Sequence, residues 1–162
     1  MPSFTKGGGE RTPFGSNEYL RSTQDVKKES YTFASATLPT ETIDGVDQKM
    51  LKPGEILAKV TSGADAGKVG VFQLYDPNGG GAGIPTGPTD GRGDAANIVG
   101  INDTWLPWQL MEHDNEVAAT YECTAVQAWC FERDGATGAR ITLTNTTADA
   151  LRGVKGLDVH FK

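Results

Sequence analysis

Four neighbouring residues in the second half of the chain could bind a metal ion: Glu112, His113, Asp114 and Glu116. Carboxylate oxygens are the ligands that hard cations prefer, and an imidazole suits softer transition metals. Their spacing matches no loop with fixed ligand positions, so we interpret them as a polar, solvated turn. The sequence therefore predicts no metal site, and no motif in it predicts a cofactor.

Residues for nucleophilic catalysis are equally sparse. The chain has two histidines, neither in a recognisable catalytic setting, and it lacks the Gly-x-Ser-x-Gly sequence of hydrolase nucleophiles. Cys123 and Cys130 lie in an apolar, extended segment, where we expect buried, reduced thiols rather than reactive thiolates. None of the 21 acidic residues stands out as half of a catalytic pair. We predict no catalytic residue and no enzyme, and a small hydrolase with converging carboxylates is an alternative that stays open.

Residues 76–94 are rich in glycine and contain two further short motifs. Gly79-Gly80-Gly81 would suit a phosphate cradle, but no Lys-Ser or Lys-Thr pair follows it. Arg92-Gly93-Asp94 matches an integrin-type tripeptide, and such a match arises easily by chance among glycines and aspartates. We predict a long loop here and assign it no function.

The charge of the chain excludes several kinds of partner. Its net charge is −6, whereas nucleic acids and anionic membrane surfaces require clustered lysine and arginine. No apolar run approaches the roughly 20 residues of a membrane-spanning helix, and the N-terminus lacks the apolar segment of a signal peptide. We therefore expect no nucleic-acid or membrane partner, and synthesis in a cytoplasm.

Residues 1–30 differ in composition from the rest of the chain. They contain few apolar residues and no alanine, so they bury too little surface to offset the entropy of ordering. We predict an extended N-terminal arm that is disordered when free, followed by a folded domain at residues 31–162. The arm nevertheless carries dispersed apolar anchors, which suit a segment that folds onto a partner: Phe4, Phe14, Tyr19 and Leu20.

The folded domain shows the alternation typical of β-strands. Strands are predicted at residues 31–38, 55–61, 68–75, 95–105, 116–131, 140–144 and 157–161. The clearest signal lies in residues 116–131, whose odd positions are apolar except for Gln127, so that Trp129 is expected to point into the core. Thr147 is predicted to cap a helix of residues 148–152. The predicted fold class is mostly β, with one short C-terminal helix.

The sequence Trp105-Leu106-Pro107-Trp108 is an aromatic cluster in a predicted loop. Tryptophan fills cores, and it is also enriched at interfaces, where both its apolar face and its N–H find partners. These four residues are therefore either part of the core or candidates for a subunit interface, and both interpretations stay open.

Several segments, in order, resemble one viral protein family. Residues 50–61, Met-Leu-Lys-Pro-Gly-Glu-Ile-Leu-Ala-Lys-Val-Thr, resemble the entry strand of the lambda-type bacteriophage head decoration proteins, and residues 68–75 follow as a second strand. Residues 97–101 and 117–121, Asn-Ile-Val-Gly-Ile and Val-Ala-Ala-Thr-Tyr, match later strands of that family in order. A terminal helix and a short last strand also suit the family, and the resemblance extends over residues 31–162.

The resemblance implies a β-tulip-like, small-barrel domain that trimerises on the outer surface of a virion. There it would occupy three-fold positions of an expanded capsid and cement neighbouring major capsid proteins. Its N-terminal arm would pair with strands of the capsid protein, and residues 31–38 would supply the added strand. The implied arm contacts are Phe4, Phe14, Tyr19, Leu20, Tyr31 and Phe33.

The alternative comes from a different class of proteins. It is a carbohydrate- or receptor-binding β module displayed on a virion, in which Trp105, Trp108 and residues 76–94 would form an exposed platform. The long arm and the loop at residues 76–94 are the two features in which the chain departs from the smallest members of the decoration family.

Overall fold

The computed structural model of the chain describes residues 19–22, 24–107 and 113–162. Within these residues the protein is mostly β, with one α-helix, which confirms the predicted class. The strands are β1 (Lys27–Phe33), β2 (Glu41–Ile43), β3 (Val46–Gln48), β4 (Ile56–Lys59), β5 (Val69–Val71), β6 (Ile98–Asn102), β7 (Asn115–Ala125), β8 (Phe131–Arg133), β9 (Arg140–Thr142) and β10 (Asp158–Phe161). The helix α1 is Asn145–Gly153, and short 3-10 helices span Ser35–Thr37, Ala95–Asn97 and Gln127–Trp129.

Six of the strands form one mixed sheet in the order β1-β5-β4-β6-β7-β10. β1 runs parallel to β5 and β10 runs parallel to β7, whereas β4 is antiparallel to both β5 and β6. β1 also pairs antiparallel with β7 along its whole length. The β2–β3 and β8–β9 pairs are separate hairpins. The N-terminal strand is therefore bonded to two strands of the sheet.

Two hydrophobic clusters pack against the sheet, and β4 contributes to both. Leu57 belongs to the cluster that we call inner, and Ile56 and Ala58 belong to the outer cluster, because successive side chains of a strand point to opposite faces. The outer cluster also includes Leu151 of α1 and Cys130, which precedes β8. A strand buried on both faces reads as a continuous apolar run, as residues 56–58 do.

A β-bulge interrupts the alternation of β7. Across the β1–β7 pair, Lys27 lies opposite Glu122 and Lys28 lies opposite Thr120, so Tyr121 is the extra residue. An extra residue shifts the alternation of a strand by one position and redirects the side chains that follow it.

The predicted strand at residues 116–131 is correct in its first part and wrong at its end. Val117 packs in the inner cluster and Cys123 in the outer cluster, although both occupy odd positions. β7 ends at Ala125 and a 3-10 helix follows, which leaves Trp129 54% exposed. The prediction that Trp129 points into the core is therefore wrong. It assumed an uninterrupted alternation of side chains up to residue 131, whereas the bulge and the 3-10 helix break this alternation.

The described fold begins before residue 31. β1 starts at Lys27, and Tyr19 is buried in the outer cluster. The predicted boundary after residue 30 therefore falls inside β1. Composition places it there because five of the seven side chains of this strand are exposed, as they would be in a solvated arm.

The structure differs from the prediction at a hairpin and at the start of the helix. The β2–β3 hairpin was not predicted, although its turn residues Asp44 and Gly45 have φ values of 52° and 78°, which Asp-Gly pairs adopt in two-residue hairpins. Thr144 caps α1, with its hydroxyl 3.3 Å from the Thr147 nitrogen. The helix consequently begins at Asn145, one turn earlier than a cap at Thr147 would place it.

Candidate functional site

Residues 19–22, which we call the root, attach the N-terminal segment to the end of β7. The Val126 N–H donates to the Tyr19 carbonyl at 2.7 Å, and the Arg21 N–H donates to the Thr124 carbonyl at 2.9 Å. The root therefore continues the antiparallel pairing that β1 makes with β7 further along the chain.

The Tyr19 side chain connects the root to two other parts of the fold. Its hydroxyl donates to Asp103 Oδ1 at 2.8 Å, and its oxygen lies 2.8 Å from the hydroxyl of Thr120 on β7. The other carboxylate oxygen of Asp103 accepts from Lys28 of β1. Burial raises the pKa of Tyr19 far above its ordinary value, so the hydroxyl keeps its proton and remains a donor.

Two of the predicted arm contacts support the protein's own core. Tyr19 is 1% exposed in the outer cluster, and Phe33 is fully buried in the inner cluster. In this structure both side chains anchor the fold, and the capsid contact expected of them stays a prediction. Local composition could not reveal this, because Tyr19 meets Asp103 and Thr120 from more than eighty residues away.

The other predicted arm contacts fall into two groups. Leu20 and Tyr31 are half-buried and pack against the outer and inner clusters, respectively. The Tyr31 hydroxyl donates to Glu29 at 2.8 Å, and burial together with this contact raises the pKa of Tyr31 to about 12. Phe4 and Phe14 lie outside the described residues.

The turn after β6 contains three of the four predicted interface residues. Leu106 makes backbone hydrogen bonds with Leu51 in both directions, at 2.9 and 3.0 Å, and packs against the inner cluster. Trp105 and Pro107 are half-buried, and Trp108 lies outside the described residues. Leu106 thus belongs with the core, and Asp103, two residues before Trp105, connects this turn with the root.

A cluster of four charged side chains lies where the two hairpins meet the main sheet: Glu41, Glu55, Arg133 and Arg140. Arg133 and Glu55 are both 1% exposed, and Glu55 Oε1 accepts from Arg133 Nε at 2.9 Å and from Nη2 at 2.7 Å. Glu41 of β2 accepts from Arg133 Nη1 and from Arg140 Nη1, each at 3.0 Å. Arg140 Nε lies 3.3 Å from Glu55 Oε1 without the alignment of a hydrogen bond.

This cluster joins β2, β8 and β9 to the residue before β4. Because the charges are paired and most of them are shielded from water, the arrangement indicates a structural cross-link. The sequence interpretation missed it, although one signal was present. Arg133 and Arg140 flank the predicted Arg133-Asp134-Gly135 turn and lie directly opposite each other in the hairpin. Like charges in such a pair need acidic partners from elsewhere in the fold.

The glycine-rich loop is held to the sheet by its own polar groups. Asp76 and Thr86 exchange two backbone hydrogen bonds, at 2.8 and 3.0 Å. The Arg92 side chain donates to Asp90 at 3.0 Å and to the Val71 carbonyl at 3.2 Å, and Gly93 is buried. Since this arginine is engaged within the fold, the structure gives no support to an exposed integrin-type tripeptide.

Three of the remaining candidate residues, Asp114, Cys123 and Cys130, have structural roles. Asp114 accepts from the Ser35 N–H and pairs with Lys68 at 2.6 Å, which lowers the pKa of this carboxyl. Burial raises the pKa of Cys123 to about 11 and that of Cys130 to about 12, so both thiols stay protonated near neutral pH. In the described part of the chain, no group of three or more potential ligands could hold a metal ion.

Comparisons with protein-family models, with curated proteins and with solved structures found no match to this chain. Among the described residues, no helix is long and apolar enough to cross a membrane.

Proposed function

We propose that the protein is a capsid decoration protein that cements an expanded phage capsid. It binds as a homotrimer at three-fold positions on the outer surface of the virion, after synthesis in the host cytoplasm. Its N-terminal segment contacts the major capsid protein, and the proposal requires no cofactor, nucleic acid, membrane or catalysis. The sequence segments that resemble the decoration family are the starting point for this proposal.

The positions of these segments in the sheet support the proposal. Residues 50–61 contain β4, residues 97–101 contain most of β6, and residues 117–121 lie in β7. These three strands are successive neighbours in the sheet.

The pairing of β1 supports the barrel part of the proposal. Because β1 is bonded to β5 and to β7, the strands β1, β5, β4, β6 and β7 follow one another in a ring of pairings. The inner cluster takes side chains from each of these five strands. A small closed sheet filled by its own side chains is typical of five-stranded barrels.

The main support for a capsid-protein partner is that the root is anchored in the fold. Tyr19 is tied by hydrogen bonds into the core, and the eighteen residues before it contain Phe4 and Phe14 but few other apolar residues. A segment that is fixed at one end and carries aromatic anchors can add to a partner's sheet or fill its pockets.

Deleting residues 1–18 is expected to abolish binding to expanded capsid shells and to change the free energy of unfolding by less than about 1 kcal/mol. The deletion keeps Tyr19, whereas a cut after residue 30 would remove Tyr19 and half of β1. Co-sedimentation with shells measures binding, and urea unfolding measures stability.

Substitutions provide a matched control for this deletion. Phe4→Ser combined with Phe14→Ser should weaken binding to the shells, because it removes the aromatic anchors. Thr5→Ser combined with Thr12→Ser should leave binding unchanged. Undiminished binding by the shortened chain would overturn the proposed role of the segment.

A further inference from the structure

A cleft of about 340 Å³ lies beside the end of β4, the start of β6 and the turn between α1 and β10. Two half-buried tyrosines line it, Tyr31 from β1 and Tyr121 from the bulge of β7. Bulges commonly redirect a side chain at a functional site. The volume is at the lower end of the range for small-molecule sites, roughly 300–1,000 Å³.

Two lysines from different elements flank the cleft, Lys59 at the end of β4 and Lys155 in the turn after α1. Both are exposed, and neither makes an ion pair within the described residues, whereas Lys27, Lys28 and Lys68 each pair with a carboxylate. In a chain with a net charge of −6, two unpaired cations at one cleft favour an anionic ligand.

The other polar groups of the cleft are held in fixed positions. Among the described residues that line it, Glu29 is the only acidic one, and its carboxylate accepts the Tyr31 hydroxyl at 2.8 Å. The amide nitrogen of Asn97 donates to the Gly91 carbonyl at 2.7 Å, which leaves the amide oxygen as an acceptor. Acceptors beside tyrosine rings suit hydroxyl groups on the ligand better than they suit a purely apolar acid.

We propose that this cleft binds a sugar ring that carries a carboxylate, as in the uronic acids. One face of the ring packs on Tyr31 and Tyr121, which combine an apolar surface with a polar tip. The carboxylate lies near Lys59 and Lys155, and the ring hydroxyls donate to Glu29 and Asn97. None of residues 1–18, whose deletion tests capsid binding, takes part in this argument, so the two proposals are tested separately.

The test is a calorimetric titration of the full chain with methyl glucuronide and with methyl glucoside, which differ only in the carboxylate. We expect saturable binding of the glucuronide, at least about tenfold tighter than that of the glucoside. Lys59→Gln and Lys155→Gln should each weaken glucuronide binding by about threefold or more, because each removes one attractive charge.

Lys162→Gln is the matched control, since it removes a lysine that does not line the cleft, and it should leave the affinity unchanged. Circular dichroism checks that each variant is folded. Equal affinity for the two sugars, no binding of the glucuronide at millimolar concentrations, or undiminished binding by both cleft variants would each overturn the proposal.

Discussion

Replacing Arg133 by methionine is expected to lower the free energy of unfolding by about 3–5 kcal/mol. The substitution leaves the carboxylate of Glu55, which is 1% exposed, without its two Arg133 donors, while the Lys52 N–H still donates to its other oxygen at 2.7 Å. Arg140 lies 3.3–3.4 Å from the same carboxylate and compensates in part, so a value near the lower end of this range is expected. Urea unfolding followed by circular dichroism measures the change.

A second substitution separates the unpaired charge from the lost packing. Adding Glu55→Gln to Arg133→Met should recover at least about 1 kcal/mol, because a neutral amide costs less to bury than an unpaired carboxylate. Arg152→Met is the control, since Arg152 is 48% exposed, forms an ion pair with the exposed Asp149 and lies over the Phe161 ring, and it should cost less than about 1 kcal/mol. A similarly small loss for Arg133→Met would show that the cluster does not stabilise the fold.

Replacing Tyr19 by alanine is expected to lower the free energy of unfolding by about 3–5 kcal/mol, as other large aromatic deletions do. Tyr19 is 1% exposed and fills part of the outer cluster. Tyr19→Phe keeps the ring and removes only the hydroxyl that bonds to Asp103 and Thr120, so a smaller loss of about 1–2 kcal/mol is expected.

Tyr75→Phe is the matched control for the hydroxyl, because Tyr75 is 39% exposed, and it should change stability by less than about 0.5 kcal/mol. If Tyr19→Ala had an equally small effect, the root would not be anchored in the core. The N-terminal segment would then lack the fixed origin on which its proposed role depends.

Much of the sheet could be predicted because its strands carry local signals. Alternation identifies β4, β6 and the first part of β7, and the Arg133-Asp134-Gly135 turn identifies the β8–β9 hairpin. The helix was found but begins at Asn145 instead of residue 148, because Thr144 and Thr147 are equally good caps by residue type.

The features that could not be predicted depend on contacts between distant parts of the chain. Arg133 and Glu55 are 78 residues apart, and Tyr19 and Asp103 are 84 apart. No local period shows that a tyrosine in a polar segment will fill a core, or that a strand will change faces at Tyr121. The sequence resemblance pointed to Tyr31 as an arm contact, and only the fold shows that Tyr31 shares a cleft with Tyr121 and Lys59.

The central claim is that the chain decorates an expanded capsid, and the mass of purified expanded shells before and after incubation with the full chain tests it most directly. The proposal calls for shells of the phage that would encode the chain, and scattering or native mass measurement provides the value. The account predicts a saturable gain in mass equal to three copies of the chain at each three-fold position. Shells that gain no mass, or that gain it without saturation, would contradict it.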